Sequence, residues 1–332
     1  MTQLHGRNSG PLLVTGVAGF IASRVTALLL AEGYRVIGID NLNDAYDVRL
    51  KEWRLAQLAG RPGLTFHRVD IGDRPALEEL FRRQAPFAAV INLAARAGVR
   101  QSVDDPWAYQ ETNVTGTLNL LELCRRHGVG KFVLASSSSL YGKDNPLPYR
   151  EDANTDQPLS PYAASKKAAE TLTYTYHYLY GLDVTVLRYF TVYGPAGRPD
   201  MFPFRLVQWI SEGRPVTVYG DGRQSRDFTY VDDIARGTVA ALKPLGYQVI
   251  NLGGDRGTEL RDCIRLVEEL VGKPALLEHR PRHPADVLAT RADITRARRL
   301  LGWQPQIAPA EGFARLVGWY QENRAWASQI QT

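Results

Sequence analysis

A chain of 332 residues, 44% of them hydrophobic and 23% charged, is long enough for two ordinary domains and apolar enough to give each a core. That excludes a disordered or fibrous protein. Its longest apolar stretches, around Val25–Ala31 and Ala88–Ala95, fall well short of the roughly 20 residues of a membrane-spanning helix, so a soluble protein with no membrane partner is expected. The net charge of +5 comes almost entirely from arginine, and because the basic residues are scattered among acids it suits a small anionic ligand rather than a nucleic acid.

The first ten residues are polar and lack the apolar core of a secretory signal, which predicts a cytoplasmic protein. Leu12–Thr15 is a short apolar run that meets Gly16, and residues 21–32 continue at helical period until Gly33, giving strand, tight turn and helix. Further strands are expected at Arg35–Asp40, Thr65–Asp70 and Ala88–Leu93, with helical stretches between them. The apolar runs Lys131–Ala135, Val184–Arg188 and Val249–Leu252 extend the same alternation, which implies a parallel sheet covered on both faces. Beyond Phe190 the pattern loosens at Gly194-Pro195, Gly197, Pro199 and Pro203 before a helix at residues 204–212. Residues 229–252 read as a helix and strand returning to the sheet. The expected organisation is therefore a nucleotide-binding domain over residues 1–190, with a return segment at 229–252. A smaller, interleaved C-terminal domain is built from 191–228 and 253–332. Cys124 and Cys263, the only two cysteines, fall in separate helix-like apolar patterns, so neither a disulfide nor a metal site is expected.

The turn Thr15-Gly16-Val17-Ala18-Gly19-Phe20-Ile21-Ala22 opens the first helix, where free N–H groups and the helix dipole attract a pyrophosphate. Gly16 and Gly19 remove side chains that would block the approach. Asp40 ends the second strand at the distance expected for gripping an adenosine ribose, and no arginine follows it directly, so NAD is preferred over NADP. Further along, Tyr162-Ala163-Ala164-Ser165-Lys166 sets tyrosine and lysine on one face of a helix. A phenol with a pKa near 10 works as a base near neutral pH only where positive charge stabilises the phenolate, and Lys166 supplies it. A hydroxyl from the run Ser136–Ser139 would orient the substrate oxygen.

The spacing of Gly16, Gly19 and Ala22, with Tyr162 and Lys166, resembles the extended short-chain dehydrogenase/reductase family of NAD-dependent epimerases and dehydratases. The resemblance implies a Rossmann-type doubly wound sheet. It also implies cofactor contacts from Gly16, Ala18, Gly19, Phe20, Ile21, Asp40, Asn41, Asn43, Asp70, Ile71, Leu93, Ala94, Ala95, Asn113, Tyr162, Lys166 and Tyr189. Ser137 takes the place of the family's catalytic hydroxyl, with Ser138 beside it and Ser139 as an alternative. The family's 4,6-dehydratases carry Thr-Asp-Glu where this chain has Ser137-Ser138-Ser139, which removes the carboxylates that elimination needs and favours an epimerase.

The segments Asp40–Asp47, Ala97–Arg100 and Phe190–Met201 are most similar to the UDP-glucuronate 4-epimerases of that family. In those enzymes the counterparts of Thr191 and Arg198 face the sugar's C6 carboxylate, which a planar guanidinium can hold by two hydrogen bonds. By the same resemblance Arg100, Ser137, Ser138, Tyr162, Tyr219, Arg226 and Asp286 contact the UDP-sugar, and a homodimer would form through the helices at Gly116–Cys124 and Ala163–Tyr180. Two departures stand out: Ala196 where a bulky aromatic is usual, and Pro284-Ala285-Asp286 in place of Pro-Gly-Asp. They imply a roomier sugar pocket. The alternatives are a 4-epimerase of UDP-glucose or UDP-N-acetylglucosamine, a decarboxylase or reductase of the same family, and a non-catalytic dinucleotide-sensing protein.

Overall fold

The computed structural model describes residues 10–281 and 287–332. Six strands, β1 (Leu12–Thr15), β2 (Val36–Asp40), β3 (Leu64–Arg68), β4 (Ala89–Asn92), β5 (Lys131–Ser137) and β6 (Asp183–Tyr189), are joined by a seventh, Tyr247–Leu252. All pair in parallel, in the spatial order Tyr247–Leu252, β6, β5, β4, β1, β2, β3. This is a Rossmann-type doubly wound sheet. Every residue of β1, β2, β4 and β5 is buried, which is why these strands read as continuous apolar runs rather than alternating ones.

Successive side chains still point to opposite faces. Leu12 and Val14 of β1 join a core with Val25, Leu29 and Trp303, whereas Leu13 joins Phe81, Leu120 and Phe132 on the other side. A third cluster, around Phe204, Phe228, Phe313 and Trp319, lies among the C-terminal elements. Cys124 and Cys263 are buried, unpaired thiols in these clusters, and burial pushes both thiol pKa values up.

The helices begin where local chemistry caps them. Asp47 accepts the Arg49 N–H at the start of α2 (Val48–Leu58), and Ser160 accepts the Ala163 N–H at 3.2 Å ahead of Pro161 in the long helix Pro161–Tyr180. That helix stops at Gly181, whose φ of 68° is left-handed. The third strand ends at Arg68, two residues before the expected Asp70, so Val69–Ile71 lie beyond it and line the same groove as Gly16 and Gly19.

Three short pairs escape the sequence pattern. Thr191–Tyr193 runs parallel to Phe228–Tyr230, Pro215–Tyr219 parallel to Leu276–Arg280, and Ser225–Arg226 antiparallel to Thr258–Glu259. Among the described residues no helix is long and apolar enough to cross a membrane. The strand order reverses between β1 and β4, so the carboxyl ends of these neighbours open a crevice, the usual ligand position in such sheets.

Candidate active site

The crevice begins at the turn after β1. Gly16 has φ 69°, and a Cβ there would lie 2.9 Å from the Ala94 backbone, so only glycine lets the turn sit against the end of β4. Thr15 fixes the same junction: its hydroxyl donates to Asn92 Oδ1 at 2.7 Å and accepts the Leu93 and Ala94 N–H groups. On the other side, Asp40 accepts the N–H groups of Ala18 and Leu42 at 3.1 and 2.8 Å, which holds its carboxylate at the rim. Asn41 donates to Asp70 at 2.5 Å, joining the ends of β2 and β3.

The groove so formed is lined by Gly16, Gly19, Asp40, Asn41, Asn43, Asp70, Ile71, Leu93, Ala94 and Ala95 from the expected set. Tyr46, Lys51, Arg96, Thr112 and Arg198 also line it. A strip of small residues flanked by a rim carboxylate and several cations fits a dinucleotide: the strip admits its backbone, the carboxylate takes ribose hydroxyls, and the cations suit a diphosphate.

Several expected cofactor residues serve the groove from outside it. Ala18 is fully buried and gives its N–H to Asp40. Phe20 and Ile21 open the helix α1 (Phe20–Ala31), and the Phe20 ring turns to the far side of that helix. The Tyr189 hydroxyl is buried against Thr238 Oγ1 at 2.8 Å. Asn113 sits in a wide turn of π-helix, Gln110–Thr115, and acts as a clip. It accepts the Arg96 N–H, donates to the Arg96 carbonyl, and donates to Ser165 Oγ, each at 2.9 Å. It thereby ties the strip after β4 to the helix that bears Tyr162.

On that helix Tyr162 and Lys166 lie one turn apart. Lys166 is buried, donates to the Ala135 carbonyl at 3.0 Å, and is pushed down to about 8 by burial against the opposing charge of Glu170. Burial pushes the Tyr162 phenol up, opposed by a hydrogen bond with Ser137 and by the charge of Arg198. Ser137 ends β5, where its hydroxyl lies 3.1 Å from that of Ser139 and accepts the Ser139 N–H. Ser138 follows it in a tight helical turn.

Without a further positive charge, both shifts oppose the phenolate–ammonium state that base catalysis needs. Adding NAD to protein stripped of it is therefore expected to move the Tyr162 titration to lower pH. Ultraviolet difference absorbance of ionised tyrosine reads this, with Tyr162→Phe as the blank, and an unmoved titration would contradict it.

At the sugar end, Thr191 opens the strand beside Phe228–Tyr230. Arg198 reaches back to the groove but is already held: Nε and Nη2 meet the Asp200 carboxylate at 3.0 and 2.5 Å, and Nη2 also donates to the Ala97 carbonyl. Arg100 lies over the Tyr219 ring, 4.2 Å from its centroid. Arg226 donates to the Ser225 carbonyl at 2.9 Å. Asp286, with Pro284 and Ala285, lies outside the described residues.

Ala196 is buried and borders a separate cavity of about 170 Å³ beyond α1, with Phe20, Trp53 and Val231. Sequence reasoning missed Lys51, Arg54 and Arg96. The first two carried a readable signal, because positions 51, 54 and 58 form one helical stripe and Leu58 marks it as the buried one.

A family model described as the NAD dependent epimerase/dehydratase family matches residues 12–253. The chain belongs to this family. NAD is its cofactor, in keeping with the groove. The chain is 56% identical over 315 residues to UDP-glucuronate 4-epimerase of Thermodesulfobacterium geofontis (strain OPF15), covering 95% of this chain and 97% of that one. Among solved structures, UDP-glucuronic acid 4-epimerase from Bacillus cereus, in complex with UDP-glucuronic acid and NAD, superposes with TM-score 0.88 at 37% identity, covering 94% and 99% of the two chains. UDP-glucose 4-epimerase from Thermotoga maritima, with UDP-glucose, gives TM-score 0.87 at 32% identity, covering 95% and 99%.

Proposed function

We propose that this enzyme epimerises UDP-glucuronate at C4, giving UDP-galacturonate. The observation that carries the reading is Arg198, a guanidinium lining the cofactor groove and close enough to Tyr162 to act on its ionisation. A cation beside the base suits a sugar with a carboxylate one carbon beyond the reacting ring. The relative at 56% identity supports the same substrate.

NAD held along the groove by Gly16, Asp40 and Asp70 would supply reversible hydride transfer at C4. Tyr162 removes the C4 hydroxyl proton and gives it back, Lys166 holds the phenolate by charge, and Ser137 orients the hydroxyl with Ser138 beside it. The 4-keto sugar turns over between the two transfers. Oxidised at C4, a uronate is a β-keto acid, which loses carbon dioxide when its carboxylate bond aligns with the carbonyl π system. Thr191 and Arg198 restrain the carboxylate out of that alignment. Arg100 contacts the UDP-sugar, with Tyr219 near the uracil and Arg226 and Asp286 near the diphosphate.

In this reading residues 1–190, with 229–252, form the NAD-binding part, and 191–228 with 253–332 the sugar-nucleotide part. The protein acts in the cytoplasm as a homodimer. Exposed apolar side chains support the dimer: Trp107, Tyr174 and Tyr178 are 78%, 52% and 76% exposed on helices that flank the catalytic one or belong to it.

One observation favours a neutral sugar as the second reading. The fork of Arg198 is occupied by Asp200, so the pair presents little net charge, as a UDP-glucose or UDP-N-acetylglucosamine 4-epimerase would require. Incubation with each UDP-sugar and NMR of the products decides between them. Arg198→Ala is expected to lower kcat/KM for UDP-glucuronate roughly 10- to 150-fold, because it removes a charge-assisted hydrogen bond and leaves Asp200 facing the substrate carboxylate. UDP-glucose turnover is expected to change little, and a wild-type preference for UDP-glucose would establish the second reading.

A further inference from the structure

Arg54 lies on α2 with its side chain only 2% exposed, and among the described residues no carboxylate pairs with it. Carbonyls and one phenol satisfy the charge instead. Nε and Nη2 donate to the Ala196 carbonyl at 2.9 and 2.7 Å, and Nη2 also donates to Gly197 at 3.1 Å. Nη1 donates to the Ala18 carbonyl at 3.3 Å and to the Tyr46 hydroxyl at 2.7 Å. Burying an arginine without a counter-ion is costly, so a packing role alone is a poor account of it.

The partners have a common meaning. Ala18 belongs to the turn that lines up the dinucleotide. Ala196 and Gly197 belong to the loop that carries Arg198 into the groove. Ala196 stands at φ 52°, a left-handed conformation that a residue with a Cβ rarely adopts, and its carbonyl takes two of the arginine's bonds. Tyr46 lies beneath Arg198, 5.9 Å from its guanidinium carbon. A rigid planar fork can fix several carbonyls at once, which a lysine ammonium cannot do from the same stem.

We infer that Arg54 is a positioning residue for sugar selection: it clamps the Arg198 loop onto the dinucleotide turn and so sets where the carboxylate-reading guanidinium stands over the cofactor groove. The inference rests on the reading of UDP-glucuronate as substrate and adds a mechanical link between its two binding sites. Misplacing a reacting group by about 1 Å costs on the order of 100-fold in rate, so a loosened clamp is read in selectivity before it is read in folding.

The test is Arg54→Lys, which keeps the charge and loses the fork, with Tyr46→Phe as a milder variant that leaves Arg54 in place. Amide hydrogen exchange over residues 194–201 is expected to quicken about 10-fold in Arg54→Lys, the loss expected for one charged hydrogen bond. The ratio of kcat/KM for UDP-glucuronate over UDP-glucose is expected to fall by about the same factor, with more decarboxylated 4-keto pentose per turnover. Tyr46→Phe moves each readout the same way by less, and carries the test alone if Arg54→Lys does not fold. A loop that exchanges at the wild-type rate in both variants overturns the clamp. Faster exchange with an unchanged sugar ratio and product partition overturns the positioning role. A wild-type enzyme inactive on UDP-glucuronate overturns the substrate reading instead; the clamp is then judged by loop exchange and by KM against kcat for the sugar it does turn over.

Discussion

Tyr162→Phe is expected to lower epimerisation by about 100- to 10,000-fold, the usual contribution of a positioned acid–base group. The ring remains, and the phenol oxygen that meets Ser137 is lost. Folding and bound NAD are expected to be unchanged, because the helix carrying Tyr162 is held by Asn113 through Ser165 and by the cap at Ser160. Turnover by NMR and NAD released on denaturation check both halves. Activity within a few-fold of wild type would remove Tyr162 from the role of base.

Glu170→Gln is expected to act on stability and on catalysis together. Glu170 is buried one turn beyond Lys166, where it accepts from Arg188 at 3.0 and 2.8 Å and from the Ser136 hydroxyl at 2.6 Å. Removing its charge leaves Arg188 buried without a counter-ion, a loss typically of about 3–5 kcal/mol. Denaturant unfolding reads this as a lower midpoint. Glu170 also opposes the burial that draws Lys166 down to about 8, so without it Lys166 loses its proton at lower pH. The alkaline fall in activity should therefore begin at lower pH in Glu170→Gln than in wild type. An unshifted alkaline limb in a folded variant would separate Glu170 from the lysine.

The central sheet was legible because a parallel strand covered on both faces is a continuous apolar run, and Leu12–Thr15, Val36–Asp40 and Ala89–Asn92 all have that form. Leu276–Arg280 was not, since all five of its residues are exposed and leave neither a run nor an alternation to read. At the site, residue types that recur at fixed spacing around strand ends were readable, and ten of the residues expected at the cofactor line the groove. Direction was not. The sequence puts Asn113 near the cofactor, but the widened π-turn aims its amide at the Arg96 backbone and Ser165. Likewise the Ala196 departure was visible, yet its left-handed φ is something that no spacing reveals.

The chain passes back and forth between the sheet and the C-terminal elements. It leaves from Tyr189 into Thr191–Tyr193, returns from Phe228–Tyr230 into the helix Val231–Ala240 packed against α1, leaves again from Leu252 toward Thr258, comes back at Ala292–Trp303 into the core beside β1, and leaves once more for the helix Pro309–Glu322. A cleft hinged at one strand opens by a single bend, whereas here several segments must flex in concert, two of them paired with each other. Such stitching makes wide excursions rare and lengthens the residence of whatever lies beneath. An enzyme that hands its hydride back at every cycle has no need to release its redox partner, so slow exchange is no handicap to it. The same stitching would throttle a dehydrogenase, whose spent coenzyme must depart after each event.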